Sequence, residues 1–213
     1  TSQLSVFRND IQSLIDVRQV ATRADGSQLF SYLNVNRAFT QGMEASFQWQ
    51  VHKNWSINSG YQLLITGDKE EWEQIRQGKE YIRELNGSSR VMNKKDYVGL
   101  PNRSNHQGQL KIKYEDTKDR YVFMRLLYRS RWTVANSNGN GVHDVQDEYA
   151  SGFIQIHVAG GLPINKNISL QAGIDNLLNY QDIFYLPNLA GRTAFITIRT
   201  KFEPKQTKRI NHP

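Results

Sequence analysis

The chain has 213 residues, with 27 Lys and Arg against 20 Asp and Glu, a net charge of +7. It contains no cysteine, which excludes disulfides and thiolate metal sites. No run of about 18 apolar residues reads as a membrane-spanning helix, and no charged-then-apolar secretory pattern opens the chain.

The opening stretch TSQLSVFRND lies in the middle of a strand pattern, so the chain reads as a fragment. Residues 43–51, MEASFQWQV, set Met43, Ala45, Phe47, Trp49 and Val51 on one face and Glu44, Ser46, Gln48 and Gln50 on the other. QLKIKYE (109–115), IQIHV (154–158) and ISLQAGID (168–175) repeat this alternation, the mark of a sheet with one apolar face. Eight strands are predicted, at 4–17, 28–51, 55–66, 105–116, 119–134, 152–162, 168–178 and 191–202. The fold class is therefore all-β and antiparallel. Because half of each strand is polar, a mean hydropathy of −0.64 does not exclude a membrane barrel.

The connections carry more information than the strands. HKN (52–54), TK (117–118) and PINKN (163–167) are short, and they alternate with long segments at 18–27, 67–104, 135–151 and 179–190. Short–long alternation favours a transmembrane barrel segment with short periplasmic turns and long outer loops. The alternative is a secreted or surface β-sandwich binding module with a calcium-stabilised loop, whose turns would be short and mixed at both ends.

In the loop 67–104, Asp68 with Glu71 predicts a helix start and Gly87 a stop, with Trp72, Ile75, Ile82 and Leu85 between them. Two readings stand: the stripe packs the loop, or Trp72, Tyr81 and Tyr97 form a ligand-facing surface, joined by Arg76 and Arg103. The same loop holds Lys79, Arg83, Arg90, Lys94 and Lys95, a basic set that would attract anionic ligands or lipopolysaccharide phosphates. The aromatics alternate on strand faces and do not interleave with these cations, so nucleic acid is not the expected partner.

Further on, NSNGNGVHDVQDEY (136–149) approximates a calcium-loop spacing, with Asn136, Asn138, Asn140, Asp144 and Asp147 offering side-chain oxygens and Val142 its carbonyl. The same residues also favour a plain Asx- and Gly-rich turn. His106 near Ser104 and His143 before Asp144 lack a third member and a nucleophile motif, so no catalytic residue is assigned and no enzyme is expected. His157, alternating with apolar neighbours, is expected to face a lumen.

Five stretches, in order, resemble the late barrel strands of TonB-dependent outer-membrane receptors. These are YLNVNRAFTQGME (32–44), WSINSGYQLLITGD (55–68), LPNRSNHQGQLKIKY (100–114), GIDNLLNYQD (173–182) and GRTAFITIRTKF (191–202). The resemblance implies a barrel of the Gram-negative outer membrane whose complete form imports a scarce small-molecule ligand such as a metal chelate: a ferric siderophore, haem or cobalamin. It further implies partners in lipid, in lipopolysaccharide, and in TonB through a plug domain that this stretch does not contain. Residues 1–202 would supply about the last third of the barrel wall, followed by a tail at 203–213. Ile196, Ile198 and Phe202 would point outward, with Thr197, Arg199 and Lys201 inward. The resemblance gives Phe202 a part in the barrel-assembly signal, alongside plain lipid contact. Counting strands back from a periplasmic end puts 135–151 outside the cell.

Overall fold

The structure, a computed structural model, describes residues 1–25, 27–84, 86–137 and 140–201. Its elements are β1 (Ser2–Thr22), β2 (Gln28–His52), β3 (Trp55–Asp68), α1 (Lys69–Arg76), β4 (Tyr81–Arg83), β5 (Ser89–Val91), β6 (His106–Glu115), β7 (Tyr121–Arg129), β8 (Trp132–Ala135), β9 (Glu148–Ala150), β10 (Phe153–Pro163), β11 (Ile168–Asp175) and β12 (Thr193–Thr200). Eight of them form one antiparallel sheet in the order β1-β2-β3-β6-β7-β10-β11-β12, an up-and-down meander without crossovers. The pairs β4–β5 and β8–β9 are separate hairpins within two of the long loops.

The register sorts the side chains into two faces. Met43 pairs with Leu63, Trp49 with Ile57, Ile112 with Met124, Val158 with Ile174 and Ala172 with Ile196, all on the apolar face. Gln62 opposes both Glu44 and Gln107, and Gln107 opposes Arg129, on the polar face. Gln3, Glu44, Gln62, Gln107, Gln155 and Arg129 line one open hollow of about 570 Å³.

On β3 the apolar row runs from Trp55 to Ile65, broken only by Ser59. That is about 33 Å along the strand and, at a tilt of about 40°, about 25 Å in height, the thickness of the lipid-facing band of an outer-membrane barrel. An aromatic pair marks the short-turn border, where Trp55 packs on Tyr114 at 5.1 Å. On β1 the same face changes from Leu4 and Val6 to Arg8 and Asp10, and Asp10 takes Lys69 at 2.8 Å. The charged residues place the upper edge of the band there.

Four expectations are corrected. The predicted loop 18–27 is mostly strand: β1 and β2 stay paired to Thr22 and Gln28, leaving a tight turn in which Asp25 Oδ1 accepts from Ser27 N at 2.9 Å. Hydrogen bonding between two long partners outweighs the polar composition on which the loop reading relied. The helix ends at Gln77 rather than near Gly87, because Gly78 takes φ +70° and closes it; Ile82 therefore lies on β4, and Leu85 lies outside the described residues. The predicted strand 119–134 is two elements, since Ser130 and Arg131 break the ladder and Trp132–Ala135 joins β9 instead. The strand 168–178 stops at Asp175 because Asn176 adopts φ +49°. Phe202 and the tail 203–213 lie outside the described residues.

The two faces generate a direct test. In the complete protein in its membrane, cysteine at Phe47 or Ile57 should resist a polar thiol reagent, while cysteine at Gln48 or Asn58 should react. Equal reaction at both sets would show that the faces are wrongly assigned.

Candidate functional site

Two of the long loops are zipped into one cap at the end of the sheet opposite the short turns. Val98 N donates to His143 O at 3.2 Å and Val145 N to Asp96 O at 3.0 Å, bracketing a bridge between Tyr97 and Asp144. Beneath the bridge Ile75, Met92, Tyr97 and Val142 form a buried cluster on which Trp72 packs. The return of the first loop is seated by Gly99 at φ +88°, where a Cβ would lie 2.3 Å from Thr66 O. Leu100 N then donates to Thr66 Oγ1 at 3.0 Å.

Arg90 is the electrostatic anchor of this cap. Its guanidinium makes two parallel bonds to Asp96, at 2.6 and 2.9 Å, and a third to Glu84 at 2.6 Å. The Arg90 guanidinium holds the Asp96 carboxyl below its ordinary range, helped by a bond from Asn93 N.

The five loop residues singled out from sequence do not converge. Tyr97 is buried: its hydroxyl donates to Glu71 Oε2 at 2.9 Å and accepts from Asp68 N at 2.8 Å. Burial also pushes its ionisation well above the ordinary tyrosine range. Trp72 is wedged edge-on between Phe39 at 6.2 Å and Tyr97 at 5.7 Å, with Lys94 over its ring at 5.6 Å. Trp72, Ile75 and Ile82 therefore pack the loop, and Tyr97 is corrected from a ligand-facing residue to a core one. Arg76, Tyr81 and Arg103 are exposed. Arg76 faces Glu73 at 3.4 Å, and Arg103 donates to Pro101 O.

The Asx-rich turn is a web of internal hydrogen bonds. Asp147 accepts from Ser137 N and Asp144 N, each at 3.0 Å, and Asp144 accepts from Gln146 N at 2.8 Å and Asn140 Nδ2 at 2.7 Å. Asn140 Nδ2 also reaches Tyr81 O at 2.8 Å, tying the turn to the β4–β5 hairpin, and Asn136 Nδ2 reaches Val142 O at 3.4 Å. The structure thus gathers Asn136, Asn140, Val142, Asp144 and Asp147 in one turn, with Asn138 outside the described residues. A calcium ion there would have to displace amide donors from Asp144 and from the Val142 carbonyl.

A group that the sequence reading missed lies at the mouth of the hollow. Arg129, at the end of β7, stacks on Trp132 at 3.8 Å and donates from Nε to Ser104 Oγ at 2.6 Å. Trp132 meets Phe153 edge-on at 6.3 Å, and Phe153 stacks on Tyr180 at 4.9 Å. Arg129 and Phe153 thus line the hollow beside the amides of Gln107 and Gln155, and the buried Trp132 ring braces both of them from behind. Reading 119–134 as one strand hid this group, because the break at Ser130–Arg131 is what turns Trp132 towards Phe153.

Among the described residues, neither candidate pair, His106 with Ser104 nor His143 with Asp144, is arranged as a catalytic relay. Ser104 is held by Arg129 and His106 by Tyr61. His143 faces Thr133 at 3.4 Å and Asp147 at 3.3 Å through the same nitrogen, Nδ1, so proton transfer through the two ring nitrogens is not arranged.

A family model described as "TonB dependent receptor-like, beta-barrel" matches residues 1–177. The chain belongs to the TonB-dependent receptor family. No curated relative matches this receptor segment at a significant level. Among solved structures, a variant of the ferric enterobactin receptor from Pseudomonas aeruginosa matches with 16% identity and a TM-score of 0.60, over 94% of this chain and 29% of that one. The copper transporter OprC matches with 16% identity and a TM-score of 0.60, over 94% and 28%. Another Pseudomonas aeruginosa ferric enterobactin receptor variant, in complex with enterobactin, matches with 16% identity and a TM-score of 0.55, over 84% and 24%. The chain therefore spans less than a third of the length of these proteins. The family and these neighbours are receptors and transporters.

The anchor at Asp96 predicts a pH dependence for the receptor's cap. A carboxyl with a lowered native value contributes stability above its unfolded value of about 4, lost as pH falls through the native one. Acidification below about pH 4 should therefore open the β4–β5 hairpin to pepsin. Asp96→Asn should do the same at neutral pH to proteases active there, at a cost on the order of 1–3 kcal/mol. Cleavage within 84–93 that ignores both changes would show that Arg90–Asp96 does not hold the cap.

Proposed function

We propose that this chain is wall and outer cap of a receptor in the outer membrane of a Gram-negative bacterium, importing an anionic metal chelate by coupling to TonB. The observation that carries the reading is Arg129 with the Phe153 ring in the hollow, braced by buried Trp132 and stacked on Tyr180, where the zipped loops meet the polar wall. Aromatic faces give a large contact area at small entropic cost, and a fixed guanidinium recognises oxygen anions bidentately. Those two needs describe a ligand with ring systems and negative oxygens. A ferric siderophore with aromatic chelating groups fits both best, and haem carboxylates fit in part. Cobalamin, without carboxylate groups, fits least. The apolar band lies in lipid, and the exposed loop cations suit lipopolysaccharide phosphates at the rim. The binding surface is on long loops carried by a rigid scaffold.

The test uses the complete receptor and a panel of iron chelates, haem and cobalamin. Arg129→Gln should weaken binding of the preferred ligand roughly 10- to 100-fold, the loss of one charge-assisted contact, while heat-modifiable migration shows the barrel still assembled. Unchanged affinity would remove Arg129 from the site. Failure to take up any member of the panel would overturn the import reading.

A further inference from the structure

Ser104 lies near His106 in the chain, but its hydroxyl turns to Arg129 and accepts from Nε at 2.6 Å. It is almost completely buried, at 1% exposure. The segment around it is pinned from both sides. Asn102, left-handed at φ +61°, donates its N–H to Thr133 O on β8 at 2.9 Å. Asn105 exchanges two bonds with Leu64 on β3: its O accepts at 2.8 Å and its Nδ2 donates at 2.9 Å. His106 does the same with Ser130, its O accepting at 2.9 Å and its N donating to Ser130 Oγ at 3.1 Å. Ser104 therefore cannot follow a moving side chain, and Arg129 has to come to it.

A long side chain with several rotatable bonds loses affinity if it is ordered only when the ligand arrives. Arg129 is ordered beforehand. Its planar face stacks on Trp132 at 3.8 Å, its Nε is committed to Ser104, and its Nη2 lies 3.5 Å from Asn102 O. The Nε edge of the guanidinium is thereby used up inside the wall. What remains for an occupant of the hollow is the Nη1–Nη2 end, beside the amides of Gln107 and Gln155.

We infer that Ser104 is a positioning residue for anion recognition, committing Arg129 Nε to the wall so that the Nη1–Nη2 end grips two oxygens of one anionic group. This rests on the reading of Arg129 as a ligand contact and narrows it. The group taken is one that presents an oxygen pair end-on, as a carboxylate or a phosphate does. A lysine at 129 has no Nε edge to commit and offers a single point of charge, so it could not be placed in this way. Ser104 belongs to the return of the first long loop, and Trp132 to the second. Arg129 is thus set by the roots of both loops, although it stands on the wall itself.

Two measurements on the complete receptor test this. In the first, with no chelate present, modification of Arg129 by phenylglyoxal is followed by mass spectrometry, with exposed Arg76 as the reference. Ser104→Ala should speed it roughly three- to tenfold, because one hydrogen bond no longer has to open. In the second, an iron triscatecholate, haem and cobalamin are titrated, and the tightest binder of the parent is carried forward. Ser104→Ala should weaken its binding roughly three- to tenfold in the parent and not at all in the Arg129→Gln background. Equal loss in both backgrounds marks Ser104 as structural and overturns the inference. So does modification of Arg129 at the parent rate. If Arg129→Gln weakens binding while Ser104→Ala does not, this inference alone fails. If Arg129→Gln changes nothing, or none of the three probes binds, the ligand reading fails and this one with it. Should Ser104→Ala prevent assembly, Ser104→Cys, close in size and a poor acceptor, is read in its place.

Discussion

A backbone that crosses hydrocarbon must satisfy every N–H and C=O without water. Nearly everything else in this chain follows from that constraint. The antiparallel ladder meets it, and the ladder forces successive side chains to opposite faces. One face then has to suit lipid and the other a wet interior, which gives Met43, Phe47 and Trp49 outward against Glu44, Gln48 and Gln50 inward. Turns at one end need only reverse the chain, so they are short. The other end is free to carry insertions, and those insertions make the cap.

The cap solves a different problem. Loops of this length have many conformations, and each ordered residue costs conformational entropy. Here the cost is offset by a small buried cluster, the bidentate Arg90–Asp96 pair and the backbone bridge at Tyr97 and Asp144. The Asx-rich turn contributes by lending its carboxylates to backbone donors that would otherwise be buried unpaired. The two loops consequently hold a shared shape, and the aromatic group around Arg129 is positioned by both the wall and the cap.

Much of the wall was legible in the sequence because period two is a local signal. The residues of the two faces, the short turns and the start of the helix at Asp68 could all be assigned by inspection. What could not be read depends on contacts distant in the chain. Whether residues 18–22 pair is decided by β2, and whether Trp132 continues β7 is decided by β9. Gly87 reads as the helix stop, yet Gly78 closes the helix first, and both take positive φ. Packing of Trp72 on Phe39 fixes where the helix lies. The aromatic group at the mouth joins β7, β8, β10 and the loop before β12, so no window of sequence contains it.

The same division explains how a chain can share a fold at a TM-score of 0.60 with proteins only 16% identical to it. The bilayer constrains the wall through pattern, because any apolar side chain serves outward and any polar one inward. Leucine for isoleucine, or glutamine for serine, leaves the ladder and both faces intact. Identity matters where geometry must be met by a particular group. Arg129 needs its planar fork to reach Ser104 while stacking on Trp132, and Gly99 needs a backbone that a Cβ would forbid. The chain and its structural neighbours therefore share the fold of the wall with few residues in common.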